Sequence, residues 1–374
     1  MAIMKNNIGY RPTWAEVNLD NVEYNFRQIK KMVSAGVKVM VTVKADAYGH
    51  GLVQVAKRLC ACGVDYLGVA SIDEGIALRE AKIYLPVLVL GLVLKEDIEP
   101  LFTYDLTATV CTEELAFLLD KAGKRLGKAV NAHIKVDTGM GRIGVAQKDA
   151  FKIIKRLQGL KFLRLEGIFT HLASADTDPE FTLRQIDIFN NLVLKLRAAG
   201  IHFSLIHAAN SAGLIKYKQC HCNMVRPGLI TYGLYPAKGL DISLKPVLSL
   251  KTKVIFVKRV PKGCGISYGS IYVTKKPVKI ATLPIGYGDG YPRNLSNLAP
   301  VLIRGKRFKI SGRVCMDQIM VDVGDLPVKA GDEVVLIGSQ GGNRITAEEL
   351  AGLAGTIPYE IVCGLGSRIP RVYS

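Results

Sequence analysis

The stretch VTVKADAYGHG, residues 41–51, decides how the rest of the chain is read. Val39, Met40, Val41, Thr42 and Val43 form a short apolar, β-rich run that ends on Lys44. Gly49 and Gly51 interrupt it, and Leu52, Val55, Ala56 and Leu59 follow at helical spacing. The segment therefore reads strand, glycine-bearing turn, helix. A lysine that ends a strand is by default a solvated cap. At the carboxyl end of a buried strand, however, its amine stands where α/β sheets and barrels bind ligands. An amine in that place can condense with an aldehyde as a Schiff base.

Outward from this unit, strands and helices alternate. Residues 14–19 (WAEVNL) read as a strand, and Asp20 with Glu23 as the cap and acid that open a helix with Val22, Phe26 and Ile29 inward. Further strands are expected at 37–43, 66–70, 86–90, 107–110, 132–136, 163–170, 203–208 and 223–226. Helices are expected between them at 52–62, 74–82, 113–122, 148–157 and 182–199. Eight strands, each leading into a helix or helical turn, are the pattern of a (β/α)8 barrel. Near Leu240 the pattern changes to short β runs broken by Gly and Pro, at 247–259, 278–283, 300–304, 307–311, 319–323 and 333–337. One helical piece follows at 347–353. The expected class is α/β: an N-terminal TIM-like barrel over 13–240, and a mainly β domain over 241–374 joined by residues 1–12.

Composition sets limits. The chain has 374 residues, of which 49% are hydrophobic, ample for a two-domain core. No apolar run approaches the ~18 residues of a membrane span, and MAIMKNNIGYRPTW has no secretory apolar region. A cytoplasmic protein that contacts no membrane is expected. The eight cysteines are scattered, and neither Cys60–Cys62 nor Cys220–Cys222 has the spacing of a zinc site, so no metal is expected. The net charge of +18 permits nucleic-acid binding. The basic residues form no arm or block, so no nucleic-acid partner is expected.

Reactive side chains recur where barrel strands end. They are Lys44 on the first, HIKVDTGMGRIG (133–144) on the fifth, His171 on the sixth, His207 with Asn210 and Ser211 on the seventh, and Arg226 on the eighth. Ser211 opens a helix, whose free N–H groups bind anions. Gly228 and Leu229 follow the eighth strand, where barrel phosphate sites form.

KADAYGHG, VDTGMGR, HAANSA, VRPG, SYG, GYGDGYPR, GRVCMDQ and IPYE stand together in this order across roughly residues 14–371. In this the chain resembles the bacterial alanine racemases, fold-type III enzymes that use pyridoxal 5'-phosphate (PLP). The resemblance implies that Lys44 anchors the cofactor and serves as one catalytic base. It assigns the cofactor phosphate to Tyr48, Ser211, Gly228, Leu229 and Tyr359. Arg226 resembles the arginine facing the pyridine nitrogen, and His171 the residue that hydrogen-bonds this arginine. Arg142 resembles the arginine that meets the cofactor's phenolic oxygen and the substrate carboxylate. Lys135 matches a lysine that is carbamylated in many relatives. Tyr268 matches the second catalytic base, supplied to the barrel of the other subunit. Met316 and Asp317 match residues contributed across the same interface near the substrate carboxylate, and Tyr287 and Tyr359 resemble residues of the access channel. Asp46 stands where many relatives have Asn, and Leu229 where Ile is frequent.

The implied protein is a homodimer with shared active sites that interconverts L- and D-alanine and supplies D-alanine for peptidoglycan. A racemase of broader or serine preference is a close alternative. A non-catalytic PLP-binding barrel would lack the β domain. A two-domain PLP decarboxylase would place a glutamate where Arg226 stands.

Overall fold

The structure is a computed structural model that describes residues 9–374. Residues 1–8, assigned above to the β domain, lie outside this range.

Eight parallel strands form the barrel: Lys38–Thr42, Tyr66–Val69, Val87–Val89, Ala108–Val110, Val130–Asp137, Leu163–Phe169, Leu205–His207 and Met224–Val225. Their hydrogen-bonded order runs continuously from Val87–Val89 through Lys38–Thr42 and Met224–Val225 round to Ala108–Val110. A parallel bridge between Leu88 and Thr107 meets the two ends. The main helices between strands are amphipathic. In Glu113–Leu126, for example, Leu115, Ala116 and Leu119 are buried, Thr112 caps the start and left-handed Gly127 the end. All eight expected barrel strands are present.

The strand at 14–19 is real but is not part of the barrel. Thr13–Val17 pairs antiparallel with Leu248–Lys253 and parallel with Arg371–Tyr373. It therefore sits inside the main sheet of the β domain, beside the C-terminal tail. The helix that follows, Leu19–Met32, is capped by Asn18, whose side chain accepts from the Asn21 N–H, and not by Asp20. Strand periodicity is local, whereas the choice of partner strand is not. The remaining β strands agree with the expected runs, and two short helices, Ala347–Ala354 and Pro358–Cys363, precede the tail. One buried hydrophobic cluster runs from Val39 and Val41 of the barrel to Val334 and Leu350 of the β domain. No helix among the described residues is long and apolar enough to cross a membrane.

Candidate active site

A cleft of about 620 Å³ opens at the carboxyl ends of the barrel strands. Ten of the expected site residues line it: Lys44, Tyr48, Lys135, Arg142, His171, Ser211, Arg226, Gly228, Leu229 and Tyr359. Thr42, Phe169, Asn210 and Cys363 line it too.

The first strand stops at Thr42, and Lys44 opens an unusual turn. Ala45, Asp46, Ala47 and Tyr48 all adopt left-handed backbone, with φ of 52–55°. For residues with a side chain this costs about 1–2 kcal/mol each, so surrounding bonds must hold the turn. Glu74 supplies two of them. Its Oε1 accepts from the Ala45 N–H and its Oε2 from the Ala70 N–H, both at 2.6 Å, which ties the start of the turn to the end of the second strand. Asp46 Oδ1 accepts from the Leu52 N–H at 2.7 Å and caps the next helix. The Lys44 amine is half-buried. Desolvation first, and then the Arg142 charge, hold its pKa below that of a free lysine, while Glu74 pulls the other way.

On the far side of the cleft lies an anion cradle. The Gly228 N–H donates to Ser211 Oγ at 3.0 Å, and a short 3-10 turn starts at Leu229. A side chain at position 228 would place its Cβ 2.5 Å from Tyr48 Oη. The Tyr48 ring packs against that of Tyr359, with centroids 5.7 Å apart. Tyr359 belongs to the helix Pro358–Cys363, which returns from the β domain onto the turn: a Cβ on Gly49 would meet Val362 O at 2.2 Å. Burial raises both phenols, Tyr359 to about 12, so they remain donors.

Arg226 is buried in the barrel core. It donates to His207 Nδ1 at 2.8 Å, to Thr170 O at 2.7 Å and to Ala208 O at 3.0 Å. The expected partner, His171, is thus replaced by His207. His207 ends the strand paired with the one that carries Arg226, and its ring stacks on Phe169 inside the barrel with centroids 4.8 Å apart. His171 lines the cleft instead, with its backbone oxygen accepting from Gln185 Nε2.

A guanidinium can only donate. His207 Nδ1 must therefore accept, its proton sits on Nε2, and that N–H points to His133 Nδ1 at 2.8 Å. His133 in turn carries its proton on Nε2, 4.0 Å from Glu166 Oε2. Burial holds both histidines neutral, His133 at about 3 and His207 well below the usual range. Burial brings Arg226 down to about 10, so it stays a cation at neutral pH. His207 is marked in the sequence by its strand-end position, but its partnership with Arg226 is not; Glu74 and Phe169 carry no sequence signal for their places in the cleft.

Lys135 is 3% exposed, with Nζ 5.5 Å from the Phe169 ring centroid. Burial, Arg142 and Arg226 lower its pKa to about 8.

Tyr268, Met316 and Asp317 do not reach this cleft. They line a separate concavity on the β domain, and Tyr268 is 71% exposed. Tyr287 is beside them: its N–H donates to Cys315 O at 3.0 Å, and the Gly288 N–H to Met316 O at 2.8 Å. In one chain, then, the expected residues form two groups.

The comparisons with known proteins follow the two domains. The family described as "Alanine racemase, N-terminal domain" matches residues 17–236, and "Alanine racemase, C-terminal domain" matches residues 247–373. The alanine racemase of Halothermothrix orenii is 50% identical over 367 residues, covering 97% of each chain. That of Symbiobacterium thermophilum is 49% identical over 369 residues, covering 98% of each. Among solved structures, the alanine racemase of Clostridium difficile 630 superposes with a TM-score of 0.92 at 42% identity, covering 97% of this chain and 96% of that one. That of Bacillus anthracis, solved with bound L-Ala-P, gives 0.91 at 40% identity, covering 98% and 96%. The match to the C-terminal family sets aside the barrel-only reading. Two family matches in order and full-length identity of this level place the chain in the alanine racemase family of enzymes.

Proposed function

We propose that the chain is a PLP-dependent alanine racemase that works by two bases, Lys44 on one face of the substrate carbon and Tyr268 of the partner subunit on the other. The observation that carries this reading is one cleft holding a pKa-lowered lysine, an anion cradle and a buried arginine. The donor set fits PLP. Ser211, Tyr48, Tyr359 and the first N–H groups after Gly228 suit a phosphate, and position 228 has no room for a side chain. When bound, PLP draws electrons from the α-carbon and makes its hydrogen acidic.

The chain's own groups do the rest. Lys44, with its lowered pKa, has a neutral fraction able to take a proton at Nζ. Arg226 would face the pyridine nitrogen of bound PLP as a cation that keeps its own proton, leaving that nitrogen unprotonated. Arg142 offers a planar fork to a carboxylate. The neutral amine of Lys135, available near pH 8, can add CO2. A nitrogen–carbon bond then forms, one N–H proton leaves, and the resulting carbamate anion steadies Arg142. Tyr268, Met316 and Asp317 are exposed in the single chain, as residues that complete a partner's site would be. The product would feed peptidoglycan synthesis.

The test is exchange of the α-hydrogen of alanine in heavy water, measured by NMR on native protein and on Lys44→Ala. Native protein with added PLP should exchange and racemise. Lys44→Ala, without added amine, should lose at least about 10³-fold. Near-normal exchange in the variant would refute the role of Lys44.

A further inference from the structure

The turn that carries Lys44 adopts a backbone that its own residues resist. Ala45, Asp46, Ala47 and Tyr48 are left-handed in succession, a form that persists only where neighbours over-determine it. Three successive carbonyls of this segment are gripped. His50 Nδ1 lies 2.8 Å from Tyr48 O and 3.1 Å from Ala47 O. Arg371 Nε donates to Gly49 O at 3.0 Å, while its other nitrogens are anchored on Leu365 O, Gly366 O and Ile369 O of the tail.

The imidazole is read from its partners. Carbonyl oxygens only accept, so Nδ1 carries the hydrogen and Nε2 keeps the lone pair. The side chain is fully buried, and Nε2 has no partner among the described residues. Next to it is a cavity of about 20 Å³, room for a single water. The His50 ring also packs against Tyr232, tilted by 32° with centroids 4.7 Å apart, and Tyr232 against Tyr48, tilted by 30° at 4.8 Å. Tyr232 Oη donates to Thr42 O at 2.9 Å, at the end of the first barrel strand. His50 thus holds the turn directly through two carbonyls and braces the Tyr48 ring through Tyr232.

We propose that His50, as the neutral Nδ1–H tautomer, is a positioning residue of the cleft: it locks the left-handed turn and so fixes where the Lys44 amine and the Tyr48 hydroxyl point. This rests on the reading that those two groups hold PLP. His50 itself does not line the cleft.

Two measurements test it. Native protein labelled with ¹⁵N-histidine, its His50 signals assigned by their loss in His50→Asn, should show the neutral Nδ1–H form, unchanged from about pH 8 to pH 6. An Nε2–H tautomer or an imidazolium in that range overturns the proposal. PLP titration of cofactor-free protein comes second. His50→Asn keeps an N–H donor where Nδ1–H lies and should bind PLP within about threefold of native protein. His50→Leu keeps the bulk without the donor and should bind at least about tenfold more weakly. Native-like affinity in the leucine variant, or equal losses in both, overturns the clamp. Should the leucine variant fail to fold, the tautomer decides. If native protein does not bind PLP at all, the functional reading fails, and the tautomer result still judges the clamp.

Discussion

On the proposed function, Gly228 is where one missing atom makes room for the phosphate of PLP. A Cβ there would stand 2.5 Å from Tyr48 Oη, and the Tyr48 ring, buried between Tyr232 and Tyr359, has nowhere to go. Gly228→Ala is therefore expected to weaken PLP binding by at least about tenfold, roughly 1.4 kcal/mol, and to lower the unfolding midpoint of cofactor-free protein as well, since the clash is present without PLP. Fluorescence titration with PLP measures it, and native-like affinity would dissociate Gly228 from the cradle. Lys135 illustrates the opposite case. Nothing about a lysine in HIKVDTG announces a depressed pKa, yet burial and two arginines produce one. Asp46 is engaged on the Leu52 N–H at the start of the next helix.

The left-handed turn is the element on which the site depends. Its start is pinned by a single carboxylate that accepts from two backbone N–H groups, those of Ala45 and Ala70. Glu74→Ala hands both exposed donors to water. It should cost about 0.5–1.5 kcal/mol in urea unfolding and lower the rate at which borohydride fixes PLP onto the chain. Glu74→Gln, which keeps one acceptor, should cost less. Equal stability of native and alanine proteins would show that the turn is held without Glu74. The motif KADAYGHG signals a turn by its glycines, but the four non-glycine residues before Gly49 take the strained conformation. Only the surrounding carboxylate, imidazole and guanidinium make that affordable.

For the whole molecule, three fully buried histidines dominate the acid response. His50, His133 and His207 are 0% exposed, and burial lowers the pKa of His50 to about 4, of His133 to about 3, and of His207 well below its ordinary value. Between those values and ~6.5 the unfolded chain binds protons that the folded one refuses. Stability should fall below ~6.5, by up to about 1.4 kcal/mol per pH unit for each histidine. His171, lowered well below its ordinary value by burial and the Arg226 charge, acts in the same sense, and Glu166, whose carboxyl is raised by burial, acts in the opposite one as one group against four. Urea midpoints at fixed protein concentration test this; no decline down to pH 5 would contradict it. Assembly is the second property of the whole. Mixing Lys44→Ala with Tyr268→Phe subunits should restore up to half the native activity per heterodimer, because one site carries both lesions and the other neither. No recovery in a heterodimer verified with tagged chains would show that Tyr268 serves its own barrel or none.

Local pattern was enough to read the barrel strands, the switch to β structure near Leu240 and strand-end residues such as Lys44, Ser211 and Arg226, because each depends on spacing along a few residues; Tyr48 and Tyr359 came from the resemblance of whole motifs. It could not choose partners. Thr13–Val17 looks like any strand, and only its register with Leu248–Lys253 puts it in the β domain. His171 and His207 both end barrel strands, and only the direction in which each ring points gives Arg226 to His207. Tyr359 meets Tyr48 because the C-terminal helix folds back over the first turn. Periodicity is written into neighbouring residues, whereas these contacts join groups as many as 311 positions apart (Tyr48 to Tyr359), and long-range packing alone brings such groups together.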